Sequence, residues 1–295
     1  MTLSMSRRQT LAGCLLAVPA LASFPAQAQS AEDMEARLSE LERTHGGRLG
    51  VAVLNLATGK RVGHRADERF LMCSTFKALA AAFVLARVDQ KKEQLDRRIV
   101  FSQKDLVTWS PAAEKRVGGA GMTVAELCEA AVTLSDNAAA NLLLTSFGGP
   151  AALTTFARSL GDEVTRLDRI EPELNDRDTP DDIRDTTTAA AMLETLRKLL
   201  LGDALSPASR GQFAAWLITN KTGDTRLRAG LPKTWLVGDK TGTGSDKSGF
   251  NNDIAVAWPP DRAPVIVTAY CEMPSIPAAK RNAVIAEVGR IAAQV

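Results

Sequence analysis

The chain of 295 residues carries 36 Lys and Arg against 34 Asp and Glu, with two histidines and a single tyrosine. That near-neutral balance, without aromatic-and-basic clusters, excludes a nucleic-acid-binding surface as the working assumption. The cysteines and the two histidines, His45 and His64, have no zinc-ligand spacing, so neither a metal nor a cofactor is expected.

Residues 1–28 read as an export signal. Arg7 and Arg8 are followed by the apolar run LAGCLLAVPALASF and by Ala26-Gln27-Ala28 as the cleavage site. The run is short and broken by Pro19, which argues against a membrane span. Ser6-Arg7-Arg8 keeps a twin-arginine (Tat) route open beside the general (Sec) one. The segment holds two of the basic residues and no acidic one, so the mature chain is formally neutral. It also takes Cys14 away, leaving Cys73, Cys128 and Cys271, an odd number with at least one unpaired within the chain. The expected location is the periplasm, without membrane contact after cleavage.

Downstream, 31–45 predicts a helix with Met34, Leu38 and Leu41 on one face, ended by Gly46-Gly47. RLGVAVLNLATGKRVGH predicts a hairpin turning at Ala57-Thr58-Gly59. Thr75–Val88 is apolar on nearly every side and reads as a buried helix. Thr123-Val124-Ala125-Glu126 is a capping box opening a helix to about Thr133. Asn137–Phe147 and 150–160 predict two more helices, each closed by glycine. About twenty residues, 165–186, carry no regular pattern, which in a compact domain marks a functional loop more often than an idle one. Helices resume at 188–201 and 207–219, the latter opened by Ser206-Pro207. TWLVGDKTG, NDIAVAW and APVIVTAYCEM read as strands, and a last amphipathic helix carries Ile276, Val284, Ile285, Val288 and Ile291. Strands at both chain ends with helices between imply an α/β protein: one antiparallel sheet, flanking terminal helices and an inserted all-α domain.

Three short motifs carry chemistry. In MCSTFKAL, Ser74 opens a helix and Lys77 follows one turn on, on the same face. Free backbone N–H groups at a helix start favour a developing negative charge. A lysine among apolar residues either loses its proton and serves as a base, or stays charged and polarises the serine. Alone, S-x-x-K is expected by chance about once in a chain of this length, as a capping serine and a solvated lysine. Ser135-Asp136-Asn137 lies between two helices, where it reads equally as a helix cap. Lys240-Thr241-Gly242 ends a strand, either as an ordinary hairpin end or as an edge suited to a substrate carboxylate.

Together, in this order, S-x-x-K, S-D-N and K-T-G resemble the class A serine β-lactamases and penicillin-binding proteins. The resemblance to class A spans essentially the whole mature chain. It implies a five-stranded sheet domain from 29–69 and 213–295, and an all-α domain from 70–212 that contains the omega loop at about 165–186. RIEPELND within that loop is similar to the family's water-holding segment, with Glu171 as base and Asn175 as second anchor. By the same resemblance Ser74 is the nucleophile, Lys77 or Glu171 accepts its proton, and Ser135 protonates the leaving nitrogen. Asn137 holds the substrate's amide, while Lys240, Thr241, Gly242 and Thr243 meet its carboxylate. Arg226 in TRLRAG adds charge behind them, and Trp109 in VTWSP stands at the cleft mouth; its alternative is a core tryptophan.

The implied function is a monomeric periplasmic hydrolase opening the β-lactam ring of penicillins and cephalosporins. The alternatives are a D,D-peptidase of cell-wall synthesis and a non-catalytic β-lactam sensor domain. Cys73, Trp109, Thr243 and Arg226 together resemble the carbapenem-hydrolysing branch and extend the expectation to carbapenems. That branch's disulfide partner for Cys73 is here Gly244, and the partner position for Cys128 is Ala81, so free thiols are expected, with a link to Cys271 left open. The resemblance further implies an Arg169–Asp185 salt bridge closing the loop and a cis Glu171-Pro172 bond. Two apparent insertions, near 176–183 and 245–252, border the cleft.

Overall fold

The computed structural model describes residues 30–295; the expected export segment and its cleavage point lie outside the described residues. Helix α1 (Ala31–His45) starts at a capping box in which Ser30 and Asp33 satisfy each other's backbone N–H. Strands β1 (Arg48–Asn55) and β2 (Arg61–His64) form the expected hairpin. Its turn is built by Asn55, whose Oδ1 accepts from the amides of Ala57 and Thr58. A short strand β3 (Arg69–Leu71) leads into a 3-10 turn, Cys73–Thr75, and then helix α2 (Phe76–Asp89). Strands β4 (Arg98–Ile99) and β5 (Met122–Thr123) pair in a small ladder before helix α3 (Val124–Thr133). Helices α4 (Asn137–Phe147) and α5 (Gly149–Ser159) follow. After the irregular loop come strand β6 (Thr186–Thr188) and helices α6 (Ala189–Leu201), α7 (Pro207–Ile218) and α8 (Leu227–Gly230). Strands β7 (Leu236–Thr243), β8 (Phe250–Trp258) and β9 (Val265–Glu272) and helix α9 (Ala278–Ala292) complete the chain.

The main sheet has five antiparallel strands in the order β2-β1-β9-β8-β7, with β1 from the chain's start seated against β9 from its end. Side chains alternate between its faces, and both faces are covered. On β1, Val51 and Val53 join α1 and α9 in one core, while Ala52 and Leu54 join the inserted helices in the other. On β8, Ala255 and Ala257 take the first side and Ile254 and Val256 the second. Such two-sided burial makes the strands read as continuous apolar runs.

The structure differs from the sequence reading at several points. Ser74 opens a helix as read, but through a 3-10 turn, Cys73–Thr75, that runs directly into α2. Ile276 precedes α9 and packs against the sheet core from the connecting segment. The β3–β6 and β4–β5 ladders and the four-residue α8 carry too few residues for a periodic signal. The expected division at 212/213 falls inside α7, whose Phe213, Trp216 and Leu217 pack in the helical core. Among the described residues, no helix is long and apolar enough to cross a membrane.

Candidate active site

The turn bearing Ser74 is held from below by the sheet. The Asn252 amide on β8 donates to the carbonyls of Leu71 (2.8 Å) and Met72 (3.1 Å). The Thr75 hydroxyl donates back to Met72 O at 2.8 Å. Gly242 lets β7 lie against this turn: a Cβ there would stand 2.6 Å from Met72 O. The glycine of K-T-G is therefore a close-approach residue, which brings Thr241 and Thr243 to the rim of the nucleophile's cleft.

Lys77 is wholly buried. Its ammonium donates to Ser135 O (2.9 Å) and Asn137 Oδ1 (2.5 Å) and pairs with Glu171 Oε1 at 2.9 Å. Burial lowers the Lys77 pKa from the ordinary lysine value, and the Glu171 charge opposes that shift. The Ser74 hydroxyl donates to the same Glu171 Oε1 at 3.0 Å. The other Glu171 oxygen accepts from Asn175 Nδ2 at 2.5 Å. The Ser74 hydroxyl, the Lys77 amine and the Asn175 amide thus converge on one carboxylate.

The segment that presents Glu171 is fixed at three places. Arg169 Nε donates to Asp185 Oδ2 at 2.6 Å, and Asp185 Oδ1 also accepts the amides of Asp168 and Arg169. The Glu171-Pro172 bond is cis, as the resemblance implied. Asn141 then clasps the Glu171 backbone on both sides, its Oδ1 accepting from Glu171 N and its Nδ2 donating to Glu171 O, each at 2.9 Å. Sequence reasoning missed Asn141. The signal was present, because Asn141 lies four residues after Asn137 on α4 and so shares its face.

The S-D-N wall lies at the break between α3 and α4. Ser135 adopts a positive φ of 58° there. Asp136 caps α4 through Ala139 N and accepts the amides of Ala112 and Ala113. It thereby ties down the segment bearing Trp109, which is 62% exposed, so the core-tryptophan alternative fails. The Trp109 indole donates to Leu134 O at 3.0 Å. Asn137 Nδ2 donates to Thr108 O at 2.7 Å.

On the third wall, the buried Lys240 ammonium donates to Ser135 Oγ (3.1 Å) and Thr241 O (2.7 Å). Burial first, and the nearby Lys77 charge second, push its pKa well below the ordinary lysine value. Arg226 spends its guanidinium on Gly242 O, Asn252 O, Asn282 Oδ1 and, at 2.7 Å, Thr243 Oγ1. Beneath lie Asp239, bonded by Asn220 and Arg228, and Asp253, bonded by Leu227 N; burial raises both carboxyl pKa values. Thr222, which the sequence did not single out, shares a 2.5 Å hydroxyl contact with Thr241 and lines the cleft.

Ser74, Trp109, Ser135, Asn137, Asn175, Arg226, Thr241 and Thr243 border one cleft of about 330 Å³. A larger groove of about 850 Å³, lined by residues of α2, α5 and α6, contains none of the motif residues. Cys73, which the resemblance places among the substrate-contacting residues, has its side chain wholly buried in the helical core and is not one of the residues bordering the cleft. Cys73, Cys128 and Cys271 are all free and buried. Burial raises each thiol's pKa, that of Cys271 to about 12, which keeps them protonated and unreactive.

Comparison with known proteins gives one consistent answer. Residues 33–295 match the model of the beta-lactamase enzyme family. The chain is 46% identical over 289 residues to beta-lactamase Toho-1 of Escherichia coli, covering 98% of each. It is 48% identical over 275 residues to beta-lactamase OXY-2 of Klebsiella oxytoca, covering 93% of each. Among solved structures, an ancestral class A beta-lactamase (GNCA) superposes with a TM-score of 0.85 at 68% identity, covering 88% of this chain and 98% of that one. The putative class A beta-lactamase PenP from Rhodopseudomonas palustris gives 0.85 at 61% identity over the same shares.

Proposed function

The chain belongs to the beta-lactamase enzyme family as a class A serine β-lactamase, and from that premise we propose that it turns over penicillins and cephalosporins in the periplasm through an acyl-enzyme on Ser74. The observation that carries the reading is the Glu171 carboxylate, 3.0 Å from the Ser74 hydroxyl and held on its other oxygen by Asn175.

In acylation, Ser74 Oγ attacks the lactam carbonyl carbon. Its proton passes to Glu171 Oε1, the acceptor it already faces, and the Lys77 ammonium on that same oxygen stabilises the charge redistribution. The backbone N–H groups of Ser74 and Thr243 receive the oxyanion, a contribution of about 3–4 kcal/mol where one such donor has been removed in other hydrolases. Ser135 Oγ, with Lys240 beside it, gives a proton to the departing lactam nitrogen as the C–N bond breaks. The proton taken up by Glu171 passes through the Lys77 amine back to Ser135, so that Glu171 enters deacylation ionised. Thr241, Thr243 and Lys240 bind the substrate carboxylate, and Arg226 fixes Thr243 for that purpose. Asn137 takes the side-chain amide.

In deacylation, water held between Glu171 and Asn175 loses a proton to Glu171 while its oxygen adds to the ester carbon. Collapse returns the Ser74 alkoxide, which recovers that proton, and releases the ring-opened acid. The same arrangement extends to carbapenems through the Arg226–Thr243 contact at the carboxylate and Trp109 at the mouth. The periplasmic assignment rests on the N-terminal 28 residues alone.

The test is Glu171→Ala in a panel of penicillin, cephalosporin and imipenem, read by turnover and by intact mass. The variant should acylate and stall, leaving a drug-mass adduct on Ser74, while the wild type turns over every member. Rapid turnover by the variant removes Glu171 from its role, and stoichiometric acylation without turnover by the wild type ends the hydrolase reading.

A further inference from the structure

Between the buried Leu174 and the buried Asp185 the loop runs over the surface, and from 176 to 181 only Arg177 is turned inward. Its guanidinium donates to Glu272 Oε1 at the end of β9 and to Arg69 O on β3, both at 3.3 Å. It also lies 5.3 Å from the centre of the Phe250 ring at the start of β8. Glu272 stands where three strands meet, opposite Arg48 on β1 and Phe250 on β8. The preceding residue is stitched to the β7–β8 turn, with Ser245 Oγ donating to Asp176 Oδ1 at 2.6 Å. Arg169 Nη2 takes the Asp176 carbonyl at 2.6 Å. Asn175, one residue earlier, carries the amide that holds Glu171.

We propose that Arg177 is a positioning residue for the hydrolytic half of the reaction: it clamps the Asn175–Arg177 stretch onto the ends of β8 and β9 and so fixes the amide that orients the attacking water. The proposal rests on the reading in which Glu171 and Asn175 hold that water. Its chemistry separates the two half-reactions. Ser74, Lys77 and Ser135 are anchored by α2, the α3–α4 break and Asn252 on β8, whereas Arg177 reaches β8 only at Phe250, at the strand's start. Asn175 is anchored through the loop. Removing Arg177 leaves Glu272 paired with Arg48 at 2.7 Å, so no buried acid is stranded and the fold persists.

The experiment compares Arg177→Ala and Arg177→Lys with the wild type on a penicillin, after matching thermal unfolding curves. When only deacylation slows, kcat and KM fall by the same factor and kcat/KM stays constant. A misplacement of about 1 Å can cost a hundredfold in an oriented step, so a partial release of Asn175 predicts a fall in both constants of roughly tenfold for Arg177→Ala. Ser74 should then carry accumulated drug mass at steady state, and Arg177→Lys should recover part of the loss through the Glu272 contact. Unchanged kcat without an adduct overturns the proposal. So does a fall in kcat/KM at constant KM, which places the defect in acylation or in folding. Glu171→Ala run beside it separates the premises. If that variant traps the adduct and Arg177→Ala does not, only the clamp is wrong; if neither traps it, the water-holding reading falls and the clamp falls with it.

Discussion

At the scale of single residues the cleft is organised by amines kept from water. Lys77 and Lys240 are both fully buried, and each pKa is lowered chiefly by desolvation. For Lys240 the Lys77 charge adds to that effect, and Asp239 opposes it. A lysine whose folded pKa lies below its unfolded value of about 10.4 binds fewer protons in the native state than in the unfolded one between those two values. Stability therefore rises with pH across that window. Lys240→Met removes the term while filling similar volume, and replacing a buried charge by an apolar group is often neutral or stabilising by about 1–4 kcal/mol. The variant should unfold about 2–4 °C above the wild type at pH 7 for each kcal/mol gained. That advantage should shrink toward pH 10, while KM for a carboxylate-bearing penicillin rises. The comparison isolates Lys240, because the buried thiols, whose raised pKa values cost stability as pH climbs above about 8.5, are common to both proteins. A lower melting temperature for the variant at pH 7 would mean that the Ser135 and Thr241 contacts outweigh desolvation.

At the scale of elements, the omega loop is a surface segment made rigid by a few polar contacts. Asp185 is fully buried and accepts from Arg169 and from two loop amides, so Asp185→Asn keeps the shape and deletes the charge. Breaking a buried pair costs about 3–5 kcal/mol; with Arg169 partly exposed the lower end applies, and the variant should melt several degrees lower with a reduced kcat. Full activity and an unchanged melting curve would show that the loop is held elsewhere. This loop also marks the limit of what the sequence discloses. Ser74, Lys77, Ser135 and Lys240 were singled out because their three motifs, each open to an ordinary reading alone, together and in this order resemble a known family. The irregular stretch marked only a functional loop; Glu171 within it was singled out because RIEPELND resembles the family's water-holding segment. Asn141 and Thr222 were not, since each acts through one contact made only after folding. Regular elements followed the same rule. The α3 capping box and the Gly148 terminus of α4 write their own boundaries. The β3–β6 pair is three residues a side and exists because the loop ends are brought together. Cys73 was drawn in by the resemblance, which says nothing about direction: its side chain enters the helical core while that of Ser74, next along the chain, borders the cleft.

At the scale of the whole molecule, the active site depends on closure of a sheet whose halves lie at opposite ends of the chain. Strand β1 pairs with β9 along its full length, and β9 supports the β8 and β7 strands that carry Asn252 and Lys240. The outer face of that sheet is sealed by α9, with Val284, Ile285, Val288 and Ile291 all at most 1% exposed. The terminal Val295 carbonyl accepts from Asn55 Nδ2 at 2.9 Å, tying the last residue to the end of β1. At about 1.5–3 kcal/mol for each buried aliphatic side chain, α9 contributes roughly 6–12 kcal/mol. That is comparable to the 5–15 kcal/mol by which whole domains are stable, so the loss cannot be absorbed. A chain ending at Ser275 should therefore yield no soluble, cooperatively unfolding protein and no β-lactam turnover, although every motif residue remains in it. Ile285→Ala, which removes one of the four side chains, should lose about 2–5 kcal/mol by denaturant titration while keeping its kcat. Turnover by the truncated chain would mean that the helical domain can assemble the cleft on an uncovered sheet, and would place the fold's stability in the inserted helices instead.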